Sequence, residues 1–255
     1  MRIGLLGPFV LEIGGVGIDG LPKKERALLQ ALALAAGRPV PLHELADALW
    51  EGNPPDSARK GLQVLASRLR KRVGEDLLVT GDDAYGLAVD PEAVDVTRFE
   101  RLLAEAHECD EPRPALALVD EALELWRGEP LPDLGDANLG RSERARLVAL
   151  HQRAEEDRFD LLLALGRHLE LVADLEASLA DDRLGERRWR QLMVALYRSG
   201  RQADALRAYQ RARRALVDAL GVEPGTEMRA LEAAVIRNDP ALDLATGVVP
   251  GWRRW

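Results

Sequence analysis

Short apolar runs broken by glycine and proline open the chain. Ile3 to Leu6 and Phe9 to Ile13 are separated by Gly7-Pro8, and each run has the length of a β-strand. They predict a small antiparallel sheet. Beyond Pro22 the period changes, because apolar residues recur every three or four positions up to Gly37 and again from Pro41 to Trp50. This spacing predicts two helices.

A third helical pattern, from Ser57 to Val73, follows a loop in which Pro54 and Pro55 exclude a helix. At 100° per residue the main apolar positions share one side: Ala58, Leu62, Leu65 and Leu69. The opposite side and its flanks carry polar and basic residues with one valine: Arg59, Lys60, Gln63, Val64, Ser67, Arg68, Arg70 and Lys71. The segment contains six lysines or arginines and no acid. It predicts a helix that packs on a core and presents cations outward.

Two further apolar segments predict a hairpin after the basic helix. Leu77 to Thr80 and Tyr85 to Val89 are joined by the turn Gly81-Asp-Asp-Ala84. The order of sheet, helix, helix, loop, basic helix and hairpin is that of a winged helix-turn-helix, whose third helix enters the major groove of DNA. We therefore expect the basic helix to be a recognition helix, since phosphate neutralisation supplies much of the affinity for DNA.

Beyond Pro91 the strand signals stop, and helical periodicity continues to about Leu244. The segments Leu165-Gly-Arg-His168 and Ser199-Gly-Arg-Gln202 lie 34 residues apart, and the apolar positions around them align at that spacing. A 34-residue period of two helices about a glycine turn is the tetratricopeptide signature. Such helix pairs stack and offer a concave binding surface, although they can also serve only as a dimer platform or spacer.

Composition and charge limit the possible functions. The 255 residues are enough for two domains, and their formal net charge of -8 divides at Asp90 into -1 before and -7 after. Most of the negative charge therefore lies away from the basic helix, where it suppresses indiscriminate nucleic-acid binding. The sequence shows no signal peptide and no apolar run of about 18 residues, so we expect a cytoplasmic protein with no membrane partner. The single cysteine, Cys109, excludes an internal disulfide, and we expect no metal, cofactor or enzymatic activity.

Several segments match the motifs of one known family in their order along essentially the whole chain. They are Gly20-Leu-Pro-Lys-Lys-Glu-Arg-Ala-Leu-Leu29, Ala48-Leu-Trp-Glu-Gly-Asn-Pro-Pro55, Leu62-Gln-Val-Leu-Ala-Ser-Arg-Leu-Arg70, Leu125-Trp-Arg-Gly-Glu-Pro-Leu131, Leu192-Met-Val-Ala-Leu-Tyr-Arg-Ser-Gly-Arg-Gln202, Leu220-Gly-Val-Glu-Pro-Gly225 and Arg237-Asn-Asp-Pro240. With these segments the chain resembles the Streptomyces antibiotic regulatory protein family. Large members carry an ATPase module, whereas this sequence has no G-x-x-x-x-G-K-[ST] segment and resembles a small member.

The resemblance implies a mainly α fold in two domains. An OmpR-like winged helix-turn-helix (α+β) is expected over residues 1–93, and an all-α, tetratricopeptide-like bacterial transcriptional activator domain over residues 94–245. Residues 246–255 are expected to be a disordered tail. The implied function is transcriptional activation: the protein would bind direct repeats in double-stranded DNA near a promoter, as a homodimer, and recruit RNA polymerase through its sigma or alpha subunit. The regulated genes would form a secondary-metabolite (antibiotic) cluster.

The expected DNA contacts come from the outward face of the basic helix and from the hairpin: Arg59, Lys60, Gln63, Val64, Ser67, Arg68, Arg70, Lys71, Thr80 and Tyr85. The expected polymerase contacts lie in the loop before the basic helix: Glu51, Asn53 and Asp56. The hairpin departs from the family, since Leu87 stands where a cation is common and the tip carries Asp82 and Asp83. We therefore expect the tip to turn away from the duplex, or the hairpin to have lost its share of the affinity.

The two alternative classes of function are an adaptor and an enzyme. In an adaptor, the helical repeats would bind a peptide or ligand and the winged helix would contact protein. The cation-rich face of residues 57–73 favours DNA, because a protein-contact helix normally exposes apolar or mixed-sign residues. An enzyme finds no support, since no activated nucleophile, carboxylate pair or phosphate-binding loop is evident.

Overall fold

The computed structural model describes residues 1–135 and 138–243, so the tail predicted over 246–255 lies outside the described residues. The described strands are β1 (Arg2–Gly4), β2 (Val10–Ile13), β3 (Val16–Gly17), β4 (Val40–Pro41), β5 (Leu78–Thr80) and β6 (Ala84–Leu87). The described α-helices are α1 (Lys23–Leu34), α2 (Leu42–Leu49), α3 (Ala58–Val73), α4 (Asp95–Glu108), α5 (Pro112–Glu124), α6 (Asn138–Ala164), α7 (His168–Asp181), α8 (Glu186–Arg198), α9 (Gln202–Leu220) and α10 (Thr226–Arg237). The predicted fold class, a small α+β part followed by helices, is confirmed.

The described residues form two compact units. The first contains residues 1–104 together with 121–152, and the second contains residues 105–120 together with 153–243. Residues 94–104 and 121–152 therefore pack with the winged-helix segment, although they follow the boundary predicted at residue 93. The domain boundary between residues 93 and 94 stays a prediction.

The first unit contains two three-stranded antiparallel sheets, in the orders β1-β2-β3 and β4-β6-β5. Ile3 lies opposite Leu11 in the first sheet, and Leu78 lies opposite Leu87 in the hairpin. The predicted sheet and hairpin are thus both present. Strand β4 was not predicted, because two residues are too few for a periodic signal; it pairs Val40 with Tyr85 at the edge of the hairpin.

The three helices α1, α2 and α3 pack around one core, with α2 in contact with both of the others. Their central leucines are fully buried: Leu28, Leu32, Leu45, Leu62 and Leu69. Each such side chain contributes about 1.5–3 kcal/mol by leaving water. This burial positions α3 and leaves its other face available for contacts.

The chain between β1 and β2 is held by the carboxylate of Asp95, at the start of α4. The backbone N–H of Leu5 donates to both oxygens, at 2.7 and 2.9 Å, and that of Leu6 donates to Oδ2 at 3.1 Å. Arg127 Nη2 donates to the same Oδ2 at 2.9 Å. Asp95 is buried, with 6% of its surface exposed. Because the N–H groups of Leu5 and Leu6 pair with a side chain, β1 ends at Gly4, short of the predicted Leu6.

Residues 125–135, which we call the strap, run along the first sheet and α1. The N–H of Arg127 donates to Leu6 O at 2.7 Å, and that of Leu131 donates to Leu5 O at 2.9 Å. Gly7 permits this approach, because a Cβ there would lie 2.8 Å from the backbone carbon of Arg127. The strap therefore satisfies the backbone carbonyls of the two residues that follow β1.

The strap also holds α1 through Asp133, a buried carboxylate. Arg26 donates to it from two nitrogens, at 2.8 and 2.6 Å, and Gln30 Nε2 donates at 3.0 Å. A two-nitrogen arginine pair of this kind is stronger and more directional than a single contact. Thus α1 packs against residues that lie about 100 positions further along the chain.

The second unit confirms the predicted helix pairs. Gly166 separates α6 from α7 with φ 75°, and Gly200 separates α8 from α9 with φ 73°. Glycine suits these turns because other residues rarely adopt positive φ. Three of the five pairs aligned at the 34-residue spacing are buried in both repeats: Leu162 with Leu196, Leu171 with Ala205, and Leu175 with Tyr209. In the other two pairs, Leu163 is buried, whereas Tyr197, Val172 and Leu206 are only partly buried.

A buried ionic cluster links α6 to α8. Arg187 donates to Asp157 Oδ1 at 2.5 Å and to Asp160 Oδ2 at 2.5 Å, and Gln191 Nε2 donates to Asp160 Oδ1 at 2.7 Å. Burial raises the pKa of Asp160, while the Arg187 charge opposes that rise. These hydrogen-bonded ion pairs compensate the buried charges, since a buried charge without a partner would destabilise the fold by several kcal/mol.

Candidate nucleic-acid interface

Helix α3 has the orientation that the sequence predicts. Ala58, Leu62, Leu65 and Leu69 are all buried, each with 8% exposure or less. The helix ends at Gly74, whose φ of 106° favours glycine. Its last turn carries only basic charges, which interact favourably with the helix dipole.

The outward face of α3 carries most of the predicted contact residues. Exposed there are Arg59, Lys60, Gln63, Val64, Ser67, Arg68 and Lys71. Val64 has 43% of its surface exposed, in the middle of this polar set. The face therefore combines positive charge, hydrogen-bonding groups and one small apolar surface.

Three of these cations are not neutralised by the protein itself. Lys60, Arg68 and Lys71 form no ion pair with any residue in the described part of the chain. Elsewhere arginines are commonly paired: Arg211 with Glu176 and Arg213 with Glu223, for example. The outward face of α3 thus keeps its positive charge in a protein whose net charge is negative.

Three other predicted DNA contacts interact with one another. Arg70 is half-buried and donates to Leu78 O at 3.0 Å and to Thr80 Oγ1. Its guanidinium also lies 6.0 Å from the centre of the Tyr85 ring. Tyr85 has only 5% of its surface exposed, whereas Thr80 is exposed. Arg70 therefore ties α3 to the hairpin, and Tyr85 belongs to the packed side of that joint.

Arg72 has a structural partner that the helical pattern does not reveal. Its Nε lies 3.5 Å from Oε2 of Glu25, and Glu25 has 1% of its surface exposed. Arg72 Nη1 donates to Gly20 O at 3.4 Å. The last turn of α3 is thereby attached to the start of α1.

A glycine inside α3 allows the close packing of the helix-turn-helix. A Cβ at Gly61 would lie 3.1 Å from the Trp50 ring, at the end of α2. Lys24 also contacts this ring, since its Nζ lies over it at 4.2 Å from the ring centre. A glycine in a helix interior signals a close neighbour in this way.

The hairpin tip carries a carboxylate that contacts α3. Asp83 Oδ1 lies 3.1 Å from Nη2 of Arg59, and both side chains are mostly exposed. The backbone oxygen of Asp83 accepts the N–H of Leu42, the first residue of α2, at 2.9 Å. Asp82, its neighbour, forms no ion pair within the described residues. The acidic tip is therefore directed at the start of α3.

The loop between α2 and α3 exposes the three predicted polymerase contacts, Glu51, Asn53 and Asp56. Glu51 has φ 54°, a conformation uncommon for this residue type, and Gly52 follows with φ 79°. The Glu51 side chain lies against Gly135 in the strap, where a Cβ would come within 2.5 Å of Glu51 Cγ. The strap thus limits where this loop can lie.

No group of three or more histidine, cysteine, aspartate or glutamate side chains among the described residues could hold a metal ion. None of the described helices is both long enough and apolar enough to cross a membrane.

Comparisons with known proteins cover both parts of the chain. Residues 94–236 match the bacterial transcriptional activator domain, and residues 20–82 match the domain described as transcriptional regulatory protein, C terminal. Regulatory protein DnrI of Streptomyces peucetius is 38% identical over 98% of this chain and 97% of its own length. Transcriptional regulator RedD of Streptomyces coelicolor is 35% identical over 99% of this chain and 74% of its own. The chain belongs to the Streptomyces antibiotic regulatory protein family.

Longer members of the family share the same core. Regulatory protein AfsR of Streptomyces griseus is 38% identical over 95% of this chain, which spans 25% of the AfsR length. A solved structure of Mycobacterium tuberculosis EmbR, in complex with a low-affinity phosphopeptide, superposes with a TM-score of 0.87 at 33% identity. That superposition covers 94% of this chain and 65% of the EmbR chain. Family membership makes the protein a transcription regulator with a winged helix and a helical activator domain.

Proposed function

We propose that this protein is a sequence-specific DNA-binding activator whose helix α3 enters the major groove. The observation that carries the proposal is the outward face of α3, where Lys60, Arg68 and Lys71 have no carboxylate partner among the described residues. Unneutralised cations on one exposed helix are what phosphate binding requires. The rest of the protein is acidic, which directs DNA to this face.

Different residues of α3 take different roles in this proposal. Arg59, Lys60 and Lys71 contact phosphates and set the register of the helix on the duplex. Gln63, Ser67 and Arg68 read base edges, and Val64 offers a contact to a thymine methyl group. Arg70 and Tyr85 hold the hairpin against α3, which leaves Thr80 as the exposed hairpin candidate for a phosphate.

The family relationship supports further proposals about how the protein acts on its target genes. We propose that the protein binds direct repeats as a homodimer on DNA, in the cytoplasm, and activates a secondary-metabolite gene cluster. Glu51, Asn53 and Asp56 would contact the sigma or alpha subunit of RNA polymerase. Their exposure beside α3, in a loop supported by the strap, is consistent with a contact that forms once α3 is on DNA.

The salt dependence of DNA binding tests the proposal. For a protein that makes about six phosphate contacts, raising the salt concentration from about 50 to about 200 mM lowers the affinity for DNA about a thousandfold. Replacing Lys60 and Lys71 by Ala should reduce the slope of log affinity against log salt by about 2. The duplex is one selected by the wild-type chain from a random pool, and binding is followed by fluorescence anisotropy.

A matched control removes two exposed cations elsewhere, Arg153 and Arg229, in the second unit. This variant should keep the wild-type slope. A Lys60/Lys71 variant with the wild-type slope would contradict the assignment of α3. Failure of the pool to yield any bound duplex would favour the adaptor class instead.

A further inference from the structure

The hairpin tip has a defined position beside the helix-turn-helix. Gly81 N donates to Ala84 O at 2.9 Å, which closes the turn, and Leu42 N donates to Asp83 O at 2.9 Å, which attaches the turn to α2. Both bonds use backbone atoms. The place of the Asp83 side chain therefore follows from the backbone and does not depend on its own carboxylate.

The Asp83 carboxylate lies beside one cation of α3. Its Oδ1 is 3.1 Å from Nη2 of Arg59, a residue in the first turn of α3. An oxygen of a DNA phosphate would approach an arginine at a similar distance and for the same reason.

We propose that Asp83 is an internal phosphate mimic that occupies Arg59 in the free protein and competes with a DNA phosphate for it. The inference rests on the proposed function, because it concerns the same DNA-binding face. It gives the acidic tip a partner within its own chain, in place of a tip that turns away from the duplex. Arg59 then becomes a phosphate contact only when its pair with Asp83 is broken.

The expected size of the effect is modest. The two side chains are 66% and 61% exposed, and exposed pairs hold by at most about 1 kcal/mol, which corresponds to about fivefold in an equilibrium constant. Salt screens the pair as well as the DNA contacts. The competition should therefore be largest at low ionic strength.

Asp83→Asn tests the proposal, and Asp82→Asn is its matched control. Both substitutions remove one negative charge from the same exposed turn, but only Asp83 contacts Arg59. We expect Asp83→Asn to tighten binding about two- to fivefold at about 50 mM salt, on the selected duplex and on a scrambled duplex alike, because phosphate contacts carry no sequence information. Asp82→Asn should have less than half of that effect on a logarithmic scale.

The same two substitutions in an Arg59→Gln background complete the test. In that background, Asp83→Asn should change the affinity for DNA no more than Asp82→Asn does. The reason is that Arg59, for which the Asp83 carboxylate and a DNA phosphate compete, is absent. Equal effects in the wild-type background, or a gain from Asp83→Asn that survives Arg59→Gln, would overturn the proposal.

A measurement without DNA separates this proposal from the function on which it rests. A double-mutant cycle of Arg59→Gln and Asp83→Asn on thermal unfolding should show coupling between the two side chains. Absence of coupling would overturn the internal pair whether or not DNA binds. Coupling in a wild-type chain that binds no duplex would refute the proposed function instead.

Discussion

Replacing Asp95 by Ala should destabilise the first compact unit severely, although Asp95 lies outside the winged-helix segment as the sequence delimits it. Its carboxylate accepts the N–H groups of Leu5 and Leu6 and pairs with Arg127, all within 3.1 Å. Alanine would leave two backbone donors unpaired, at about 1–3 kcal/mol each, and would remove the counter-charge of Arg127. These costs overlap, so we expect a total loss of about 3–5 kcal/mol, as for other broken buried pairs.

Such a loss is a large part of the roughly 5–15 kcal/mol by which domains are usually stable. Urea unfolding followed by tryptophan fluorescence measures it, because Trp126 lies in the strap with its ring centre 5.7 Å from that of Phe99. Asp95→Asn should lose less, since one oxygen remains to accept a backbone N–H. The transition to compare is that of the first unit, because a chain of two compact units need not unfold in a single step.

Asp90→Ala is the matched control. Asp90 also lies near the end of the winged-helix segment, but its carboxylate is exposed and accepts only the N–H of Glu92, at 3.0 Å. Loss of a capping bond of this kind costs about 0.5–2 kcal/mol. If Asp95→Ala unfolded no earlier than Asp90→Ala, the carboxylate would not be holding the chain after β1, and the reasoning about the strap would fail with it.

Two further predictions concern base reading and acid stability. Arg68→Ala should relax the preference at one position of the selected DNA site by about 1–3 kcal/mol in a binding-site selection, whereas a uniform loss across sequences would make Arg68 a phosphate contact. Glu176→Gln should remove part of the acid sensitivity of the second unit, because a hydrogen bond from Arg211 lowers the pKa of Glu176. That contribution is present above the ordinary glutamate pKa and is lost as the pH falls through the lowered value. It should amount to less than about 1 kcal/mol for this half-exposed pair. The measurement is the thermal unfolding temperature of the wild type and the variant between about pH 3 and 7. A difference between the two temperatures that did not change with pH would contradict the prediction.

The parts of the fold that sequence reasoning predicts correctly depend on local periodicity. The buried side of α3 follows from apolar residues at three- and four-residue spacing. The succession of α6 and α7, and of α8 and α9, follows from two glycine turns 34 residues apart. Both signals lie within one or two neighbouring elements. They suffice to place the outward face of the candidate interface, including Gln63 and Lys71.

The contacts that sequence reasoning misses join residues distant along the chain. Asp95 lies 90 positions from Leu5, and Asp133 lies 107 positions from Arg26. No periodicity connects such residues, since their meeting depends on how the whole first unit packs. The pair of Asp83 with Arg59 is missed for a related reason: it depends on the register of the hairpin and on the attachment of its turn to α2. From the sequence alone, a carboxylate at the hairpin tip is therefore expected only to repel DNA phosphates, because its contact with Arg59 is not evident.

The strap also constrains how regulators of this kind can exchange their parts. A chimaera joined at residue 93 would keep Leu5, Leu6 and Arg26 from one parent and take positions 95, 127 and 133 from the other. Each strand and helix of the chimaera could form, but the contacts between these positions need matching partners, and residues from two different parents would not supply them. Transfer of a new binding preference is better made by grafting the exposed face of α3 alone, because those side chains are exposed and play no part in holding the strap. In the proposed function the exposed surface of α3 specifies the target, and the scaffold beneath it is the whole first unit, residues 1–104 and 121–152, rather than residues 1–93 alone.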